Sequence, residues 1–286
     1  MAELLKGKAV ADSITENMIK RADALKAQGK QPALAILRLG ENEADLSYER
    51  NAVKRCEKVG IEIIHFVLPQ NASEAAVLDA VREINESSHI DACLVMRPLP
   101  EKELEYAVSR TLDPTKDVDC MTGESLSRVF LGRGNAFTPC TPQACIEILD
   151  HYGIELEGKN VVIIGRSPVV GKPLAMMLQN RNATVTMCHT KTKDLAGICS
   201  RAEILIAAAG KAELVDEKMI NNKQIIVDVG INVQNGKLVG DVNFNACEPH
   251  VAAITPVPGG VGAVTTSVLA KHVIIAAEYN LRINKS

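Results

Sequence analysis

The chain has 286 residues, which suggests one or two domains and enough chain for a substantial hydrophobic core. Its 32 basic and 35 acidic residues give a formal net charge of −3, which argues against an electrostatic nucleic-acid binder. No apolar run approaches the roughly 20 residues that span a bilayer, and the N-terminus lacks the apolar core of a signal peptide. We therefore expect a protein that binds neither nucleic acid nor membrane.

The cysteines and histidines show no metal-binding pattern. The 8 cysteines contain no C-x-x-C pair, and the 6 histidines form no H-E-x-x-H spacing. We expect free, mostly buried thiols in a reducing cytoplasm, and no metal site.

Helices and strands alternate in the predicted first half of the chain. Helices are predicted over residues 9–28, 44–59 and 74–86, the last behind a Ser73 cap. Strands are predicted over residues 33–39, 61–68 and 92–95. A polar, turn-rich stretch follows Pro114 and reaches Thr138. Alternation of this kind predicts a parallel sheet.

A second alternating set follows. Thr141 is predicted to cap a helix whose first position is Pro142. Strands are predicted from Val161 and over residues 183–187, 204–208 and 225–229, and a final apolar helix over about residues 264–279. Two α/β domains with a cleft between them are the economical model, with ligands at the carboxyl ends of the strands.

The most informative stretch runs from Val161 to Pro173. Four β-branched residues predict a buried strand that ends at Gly165, and the following residues can open a helix. The free amide groups of such a first turn can bind a phosphate. The glycines stand at 165 and 171, which is not the common G-x-G-x-x-G spacing. Ordinary α/β packing remains the alternative interpretation.

The residues after the second strand of this set favour NADP over NAD. An acidic residue usually binds the ribose hydroxyls of NAD at this point, but residues 188–193 read CHTKTK and contain no carboxylate. Arg166 lies beside the phosphate turn, and cations with hydroxyls suit a ribose 2′-phosphate. The alternative is that Lys191 and Lys193 belong to a solvated loop.

Several motifs together resemble the FolD family, the bifunctional methylenetetrahydrofolate dehydrogenase/methenyltetrahydrofolate cyclohydrolases. The motifs are GRSPVVGKP (165–173), TVTMCH (184–189), DVGIN (228–232), GDV (240–242) and TPVPGGVG (255–262), with PTKDVD (114–119) and PCTP (139–142). Their order and spacing match the family over essentially the whole chain.

The resemblance implies a folate-binding catalytic domain over residues 1–140 with the C-terminal helix 264–286, and an NADP-binding Rossmann domain over residues 141–263. It implies a homodimer that oxidises methylenetetrahydrofolate with NADP and hydrolyses the methenyl product to formyltetrahydrofolate. The implied cofactor-binding residues are Gly165, Arg166, Ser167, Gly171, Thr190 and Ile231. The implied folate-binding residues are Tyr48, Asp119, Pro258 and Gly262.

The chain departs from the family pattern at the hydrolytic residues. The family's lysine, four residues after the tyrosine, is here Ala52, and the glutamine that partners it is Met96. Lys54 lies on a different helix face, and Arg97 cannot deprotonate at ordinary pH. Cyclohydrolase activity is therefore expected to be weak or lost. Hydrolysis through another group remains the alternative.

Two further departures from the family pattern stand beside two residues that have a structural alternative. Cys120 replaces the family's glycine, and Ala263 and Val264 alter the last loop. Hydride transfer needs orientation and a nearby carboxylate rather than a base, and Asp119 is the expected carboxylate. Asp119 as a turn residue and Tyr48 as a packing aromatic are the structural alternatives.

Four hypotheses follow. The first is an NADP-dependent dehydrogenase with weak or absent cyclohydrolase, for which NAD remains a possible cofactor. The second is a fully bifunctional enzyme with a relocated hydrolytic group. The third is a catalytically silent dinucleotide- or folate-binding paralogue. The fourth, a dehydrogenase of another substrate on a related scaffold, is disfavoured because no Lys/Asp acid–base pair is evident.

Overall fold

The computed structural model describes residues 1–133 and 137–283. They form two compact units. The six-stranded unit comprises Met1–Ala11 and Thr141–Thr265, and the three-stranded unit comprises Asp12–Cys140 and Thr266–Ser286. Within the described residues, no helix has the length and apolarity needed to span a bilayer.

The helices and strands alternate along most of the chain. The helices are α1 (Gly7–Lys26), α2 (Glu43–Val59), α3 (Glu74–Glu86), α4 (Lys102–Thr111), α5 (Gly123–Leu131), α6 (Cys140–His151), α7 (Gly171–Gln179), α8 (Leu195–Ser200), α9 (Phe244–Cys247) and α10 (Thr265–Ile283). The strands are β1 (Glu3–Leu4), β2 (Ala33–Leu39), β3 (Glu62–Leu68), β4 (Ala92–Val95), β5 (Asn160–Ile164), β6 (Thr184–Cys188), β7 (Ile204–Ala207), β8 (Ile225–Asp228), β9 (Asn232–Gln234), β10 (Lys237–Val239) and β11 (Ala253–Ile254).

The three-stranded unit has a parallel sheet in the order β3-β2-β4. Its central strand β2 is buried along its whole length, as expected for a parallel strand covered on both faces. The predicted bounds of β2, α3 and β4 are confirmed. Ser73 caps α3, since its Oγ accepts a hydrogen bond from the Ala76 N–H at 3.3 Å.

Two helices in this unit are absent from the sequence prediction. α4 buries Leu104 and Val108, and α5 lies inside the stretch predicted to be turn-rich. That prediction is wrong for α5, because Thr122 caps the helix and Gly132 ends it in the left-handed conformation. Residues 134–136 of the same stretch lie outside the described residues.

The start of α6 also differs from the prediction. The helix begins at Cys140, two residues before Pro142, so Thr141 is not its cap. The Cys140 N–H donates to Asp119 Oδ1 at 2.9 Å, so a carboxylate distant in sequence satisfies the first free amide. Pro142 still lies in the first turn, where the missing N–H costs little.

The six-stranded unit has an all-parallel main sheet in the order β1-β11-β8-β7-β5-β6. β1 pairs with β11 through Glu3 and Leu4, which joins the first residues of the chain to this sheet. The sequence prediction instead groups residues 1–140 in one domain, because a two-residue strand has no detectable periodicity.

The C-terminal helix α10 belongs to the three-stranded unit from Thr266 onwards. The predicted return of the last helix to the first domain is confirmed. Residues 284–286, which the predicted helical segment 264–286 includes, lie outside the described residues.

Candidate active site

A cavity of about 480 Å³ lies at the carboxyl ends of β5, β6 and β7. From β5 the chain passes through α7 to β6 on one side, and then crosses to β7 on the other side of β5. Ligands of doubly wound sheets bind at such a reversal of strand order. Among the residues that line the cavity are Gly165, Arg166, Ser167, His189, Thr190 and Lys211.

Two glycines shape the turn below this cavity. Gly165 has φ +130°, and a Cβ there would lie 2.1 Å from the Ala208 carbonyl oxygen. A Cβ on Gly171 would lie 2.2 Å from the Gly165 carbonyl oxygen. Ser167 Oγ accepts a hydrogen bond from the Val170 N–H at 3.0 Å, and α7 begins directly afterwards at Gly171. The turn therefore needs both glycines and provides a backbone cradle that fits a pyrophosphate.

The cations near the cavity differ in their placement. Arg166 lines it, is exposed, and forms no ion pair within residues 1–133 and 137–283. Lys211, which the sequence analysis did not single out, lines it from the segment after β7. Lys191 and Lys193 are exposed and are not among the lining residues, which favours the solvated-loop interpretation for them.

Two carboxylates of the DVGIN and GDV motifs organise the loops around the cavity. Asp228 accepts hydrogen bonds from the backbone N–H groups of Gly230, Asp241 and Val242 at 2.9–3.0 Å. Burial raises the pKa of Asp228 to about 6, although these three donors act in the opposite direction.

Asp241 is the second of these carboxylates. It accepts from the Ala209, Gly210 and Lys211 N–H groups at 2.6–2.9 Å and from Asn232 Nδ2. It thus fixes a loop that lines the cavity. Both carboxylates have structural partners, and neither stands among the cavity-lining residues.

Three more predicted residues lie in the six-stranded unit. Ile231 lies three residues after the end of β8, and it is 66% exposed. Gly262 is exposed, and a Cβ there would stand 3.4 Å from Ile231 Cδ1. Pro258 is exposed in the same glycine-rich loop, whose first residue, Thr255, accepts the Asp228 N–H through its Oγ1. Ile231 and Gly262 therefore lie close together, although they are 31 residues apart in the sequence.

Tyr48, Arg97, Asp119 and Cys140 form a cluster in the three-stranded unit. Arg97 Nη2 donates to Asp119 Oδ2 at 3.0 Å, and the Cys140 N–H donates to Asp119 Oδ1 at 2.9 Å. Burial raises the pKa of Tyr48 well above its ordinary value. The neighbouring Cys140 and Asp119 raise this pKa further, whereas Arg97 lowers it.

The structure therefore brings the two predicted catalytic residues, Tyr48 and Asp119, into one cluster. It also brings in Arg97, which the sequence excludes as a replacement for the lysine but does not connect with Asp119. The lysine of the same PTKDVD motif has a structural task, because Lys116 Nζ donates to the carbonyls of Ile84, Asn85 and Ser87 at the end of α3.

The positions of the missing lysine and glutamine are buried and apolar. Tyr48 and Ala52 stand one turn apart on α2, and Ala52 is 0% exposed. Met96 directly follows β4 and is 5% exposed. Lys54 is exposed on α2. Cys120 is buried with φ +56°, a conformation that a glycine adopts more readily.

The cysteines are buried, and no metal site is evident among the described residues. All eight cysteines are free and buried, as predicted. Within the described residues, no group of three or more His, Cys, Asp and Glu side chains is arranged to hold a metal ion.

A doubly wound parallel sheet, a glycine turn and a cavity at the reversal of strand order define a dinucleotide-binding enzyme fold. The second α/β unit supplies a separate tyrosine–carboxylate cluster. Together they are the parts expected of a two-domain dehydrogenase.

Comparison with known proteins identifies the family. The tetrahydrofolate dehydrogenase/cyclohydrolase catalytic-domain model matches residues 5–119, and the NAD(P)-binding-domain model of the same family matches residues 139–281. The bifunctional protein FolD of Clostridium kluyveri is 46% identical over 280 residues, which cover 98% of this chain and 99% of that protein.

Solved structures agree with this result. The bifunctional FolD of Campylobacter jejuni is similar with a TM-score of 0.94 at 37% identity, covering 98% of this chain and 99% of that one. The Trypanosoma brucei FolD, solved with NADP cofactor and inhibitor, is similar with a TM-score of 0.93 at 32% identity, with the same coverage. The chain belongs to the tetrahydrofolate dehydrogenase/cyclohydrolase (FolD) family, the oxidoreductases of folate one-carbon metabolism.

Proposed function

We propose that this chain is an NADP-dependent methylenetetrahydrofolate dehydrogenase whose cyclohydrolase activity is weak or lost. The methylene carbon of the folate loses a hydride, two electrons with one hydrogen, and becomes the methenyl cation. NADP supplies the hydride acceptor when it is bound. Family membership supports the oxidation, and the residues around Tyr48 support the loss of hydrolysis.

The buried, apolar pair Ala52 and Met96 carries the second half of this proposal. Hydrolysis of the methenyl bridge needs a group that transfers protons to and from water beside the reacting carbon. Neither an alanine methyl group nor a thioether can do so. Losing both members of the pair is coherent, since either polar partner left alone in a closed site would be unsatisfied.

Hydride transfer makes smaller demands on the protein. The two nitrogens that flank the methylene carbon stabilise the product cation, so no side chain has to remove a proton from it. The residues then have to orient the folate and stabilise positive charge. Asp119, a carboxylate held by two donors, suits that role.

The preference for NADP is supported by charge. Arg166 lines the cavity without an ion pair in the described chain, and the CHTKTK segment after β6 offers no carboxylate to a ribose hydroxyl. The Trypanosoma brucei relative was solved with NADP. A guanidinium can pair bidentately with a 2′-phosphate, which NAD lacks.

One measurement tests both halves of the proposal. Methylenetetrahydrofolate and NADP are mixed with the pure protein, and the absorbances of NADPH and of methenyltetrahydrofolate are followed together. We expect NADPH and the methenyl product to form at equal initial rates, and the methenyl product to decay afterwards only at its rate in buffer. No cofactor reduction with NADP or NAD would favour the silent paralogue.

The fully bifunctional enzyme is the second candidate, because relatives at 44–48% identity are named bifunctional proteins. In that case the methenyl absorbance would fail to accumulate, and NADPH would rise alone. A hydrolytic group would then have to be sought at Lys54 or at a bound water.

We also propose a homodimer in the cytoplasm. The dimer rests on the family resemblance, and light scattering of the purified chain tests it by mass. The eight free cysteines fit a reducing compartment.

A further inference from the structure

Arg97 is the cation at the centre of the Tyr48 cluster. It follows β4 and Met96, and its Nη2 lies 3.0 Å from Asp119 Oδ2 and 3.5 Å from the Asp119 carbonyl oxygen. The side chains of Arg97 and Asp119 are 17% and 24% exposed. They are therefore shielded more than an ordinary surface pair, which contributes little.

The Asp119 carboxylate is fixed at both oxygens. Oδ2 accepts from Arg97, and Oδ1 accepts from the Cys140 N–H at the start of α6, where the helix dipole favours negative charge. Two donors on different oxygens prevent rotation of the carboxylate plane. Each oxygen keeps lone-pair capacity for one more donor, such as a ring N–H of a substrate.

The charge of Arg97 also reaches the other members of the cluster. It lowers the pKa of Tyr48, Cys120 and Cys140, in each case against a larger effect of burial. A guanidinium does not release its proton at ordinary pH, so Arg97 can offer charge and direction but no proton transfer.

We infer that Arg97 is a positioning residue, which holds the Asp119 carboxylate in the orientation that binds the folate for hydride transfer. In this chain it is the fixed cation of a site that has lost its lysine. The inference rests on the dehydrogenase function proposed above, since it assigns the residue that orients the carboxylate of that reaction.

A double-mutant cycle tests whether Arg97 acts through Asp119. The proteins are wild type, Arg97→Leu, Asp119→Asn and the double variant, with Arg97→Lys to restore one donor. Arg82→Leu is the matched control, because Arg82 forms an exposed ion pair with Asp79 in the same unit. For each we measure dehydrogenase kcat, the KM values for folate and for NADP, and the Kd for tetrahydrofolate by calorimetry.

We expect Arg97→Leu and Asp119→Asn each to lower kcat/KM for folate at least about tenfold, with the KM for NADP unchanged. In the Asp119→Asn background, Arg97→Leu should then lower kcat/KM for folate by less than about twofold. Arg97→Lys should recover part of the loss, and Arg82→Leu should behave as wild type.

Two results would overturn the inference. Equal losses from Arg97→Leu in both backgrounds would show that Arg97 acts independently of Asp119, and a wild-type rate in Arg97→Leu would show that it does not act at all. If the wild type reduces no cofactor, the proposed function fails separately. The same cycle in the Kd for tetrahydrofolate then decides: coupled losses support the positioning role, and additive or absent losses reject it.

Discussion

At the scale of single residues, the cluster around Asp119 is formed by residues that are distant in the sequence. Asp119 takes its two donors from Arg97 and Cys140, 22 and 21 residues away. Ala52 lies on a helix and Met96 directly follows a strand, and both side chains are buried.

Restoring the pair should restore hydrolysis. The double change Ala52→Lys, Met96→Gln is expected to speed the decay of methenyltetrahydrofolate well beyond Ala52→Lys alone. Position 52 is buried, so an ammonium there that receives no hydrogen-bond acceptor from position 96 is costly to bury and poorly oriented. The measurement is the decay of methenyl absorbance. Equal rates for the single and double variants would show that the glutamine is not needed.

Cofactor choice should depend on Arg166. Arg166→Ala is expected to raise the Kd for NADP at least about tenfold and the Kd for NAD much less, because only NADP carries the 2′-phosphate. Arg201→Ala is the control, since Arg201 is exposed just before β7, at the other end of the sheet. Equal loss for both cofactors would mean that Arg166 contacts the pyrophosphate or supports the turn.

At the scale of elements, the turn between β5 and α7 depends on close backbone contacts. A Cβ on Gly171 would lie 2.2 Å from the Gly165 carbonyl oxygen and 3.1 Å from the Arg166 Cα, neither of which is a flexible side chain. The spacing of Gly165 and Gly171 is therefore a steric requirement of this particular turn.

Gly171→Ala should consequently displace the turn. We expect a loss of about 1–3 kcal/mol in the free energy of unfolding, together with weaker NADP binding. Gly123→Ala is the control, because nothing lies within 4 Å of a Cβ at that first position of α5. Denaturant unfolding and cofactor titration measure both effects. An unchanged Kd for NADP in Gly171→Ala would show that the turn does not bind the cofactor.

Local sequence patterns explain which elements could be predicted. β2 is apolar except for Arg38, and α3 follows a serine cap, so the sequence predicts their bounds correctly. α5 has a threonine cap and a terminal glycine, but its nine residues lie in a polar segment that hid them. The start of α6 and the Arg97–Asp119 pair could not be predicted from the sequence, because their hydrogen bonds join residues that no local pattern connects.

At the scale of the whole molecule, stability should depend on the protonation of Asp228. Its folded pKa of about 6 lies above the ordinary 3.8, so between these values the folded state holds a proton that the unfolded state releases. Above about pH 6 the buried carboxylate is charged, and its desolvation lowers the free energy of unfolding. As the pH falls, the carboxylate binds a proton and the free energy of unfolding rises.

Comparison with Asp228→Asn isolates this effect. The wild type should gain about 1 kcal/mol relative to the variant between about pH 7 and pH 5. The variant is also expected to be less stable at both values, since an amide NH₂ group in place of Oδ2 cannot accept the hydrogen bond from the Val242 N–H. Denaturant unfolding at the two pH values measures the difference. A constant difference would show that Asp228 does not titrate in this range.

The eight buried thiols can report local unfolding, because a thiol reacts with a reagent only when it becomes exposed. Four of them (Cys56, Cys93, Cys120 and Cys140) lie in the three-stranded unit, and four (Cys145, Cys188, Cys199 and Cys247) lie in the six-stranded unit. Burial raises the pKa of thiols in both sets, for example of Cys56 and Cys247 to about 12, so a closed unit should hardly react with an alkylating reagent. Peptide-resolved alkylation rates would then report the opening of each unit separately. A folate analogue should slow labelling of the first set and a dinucleotide that of the second, so that occupancy could be followed without any engineered probe.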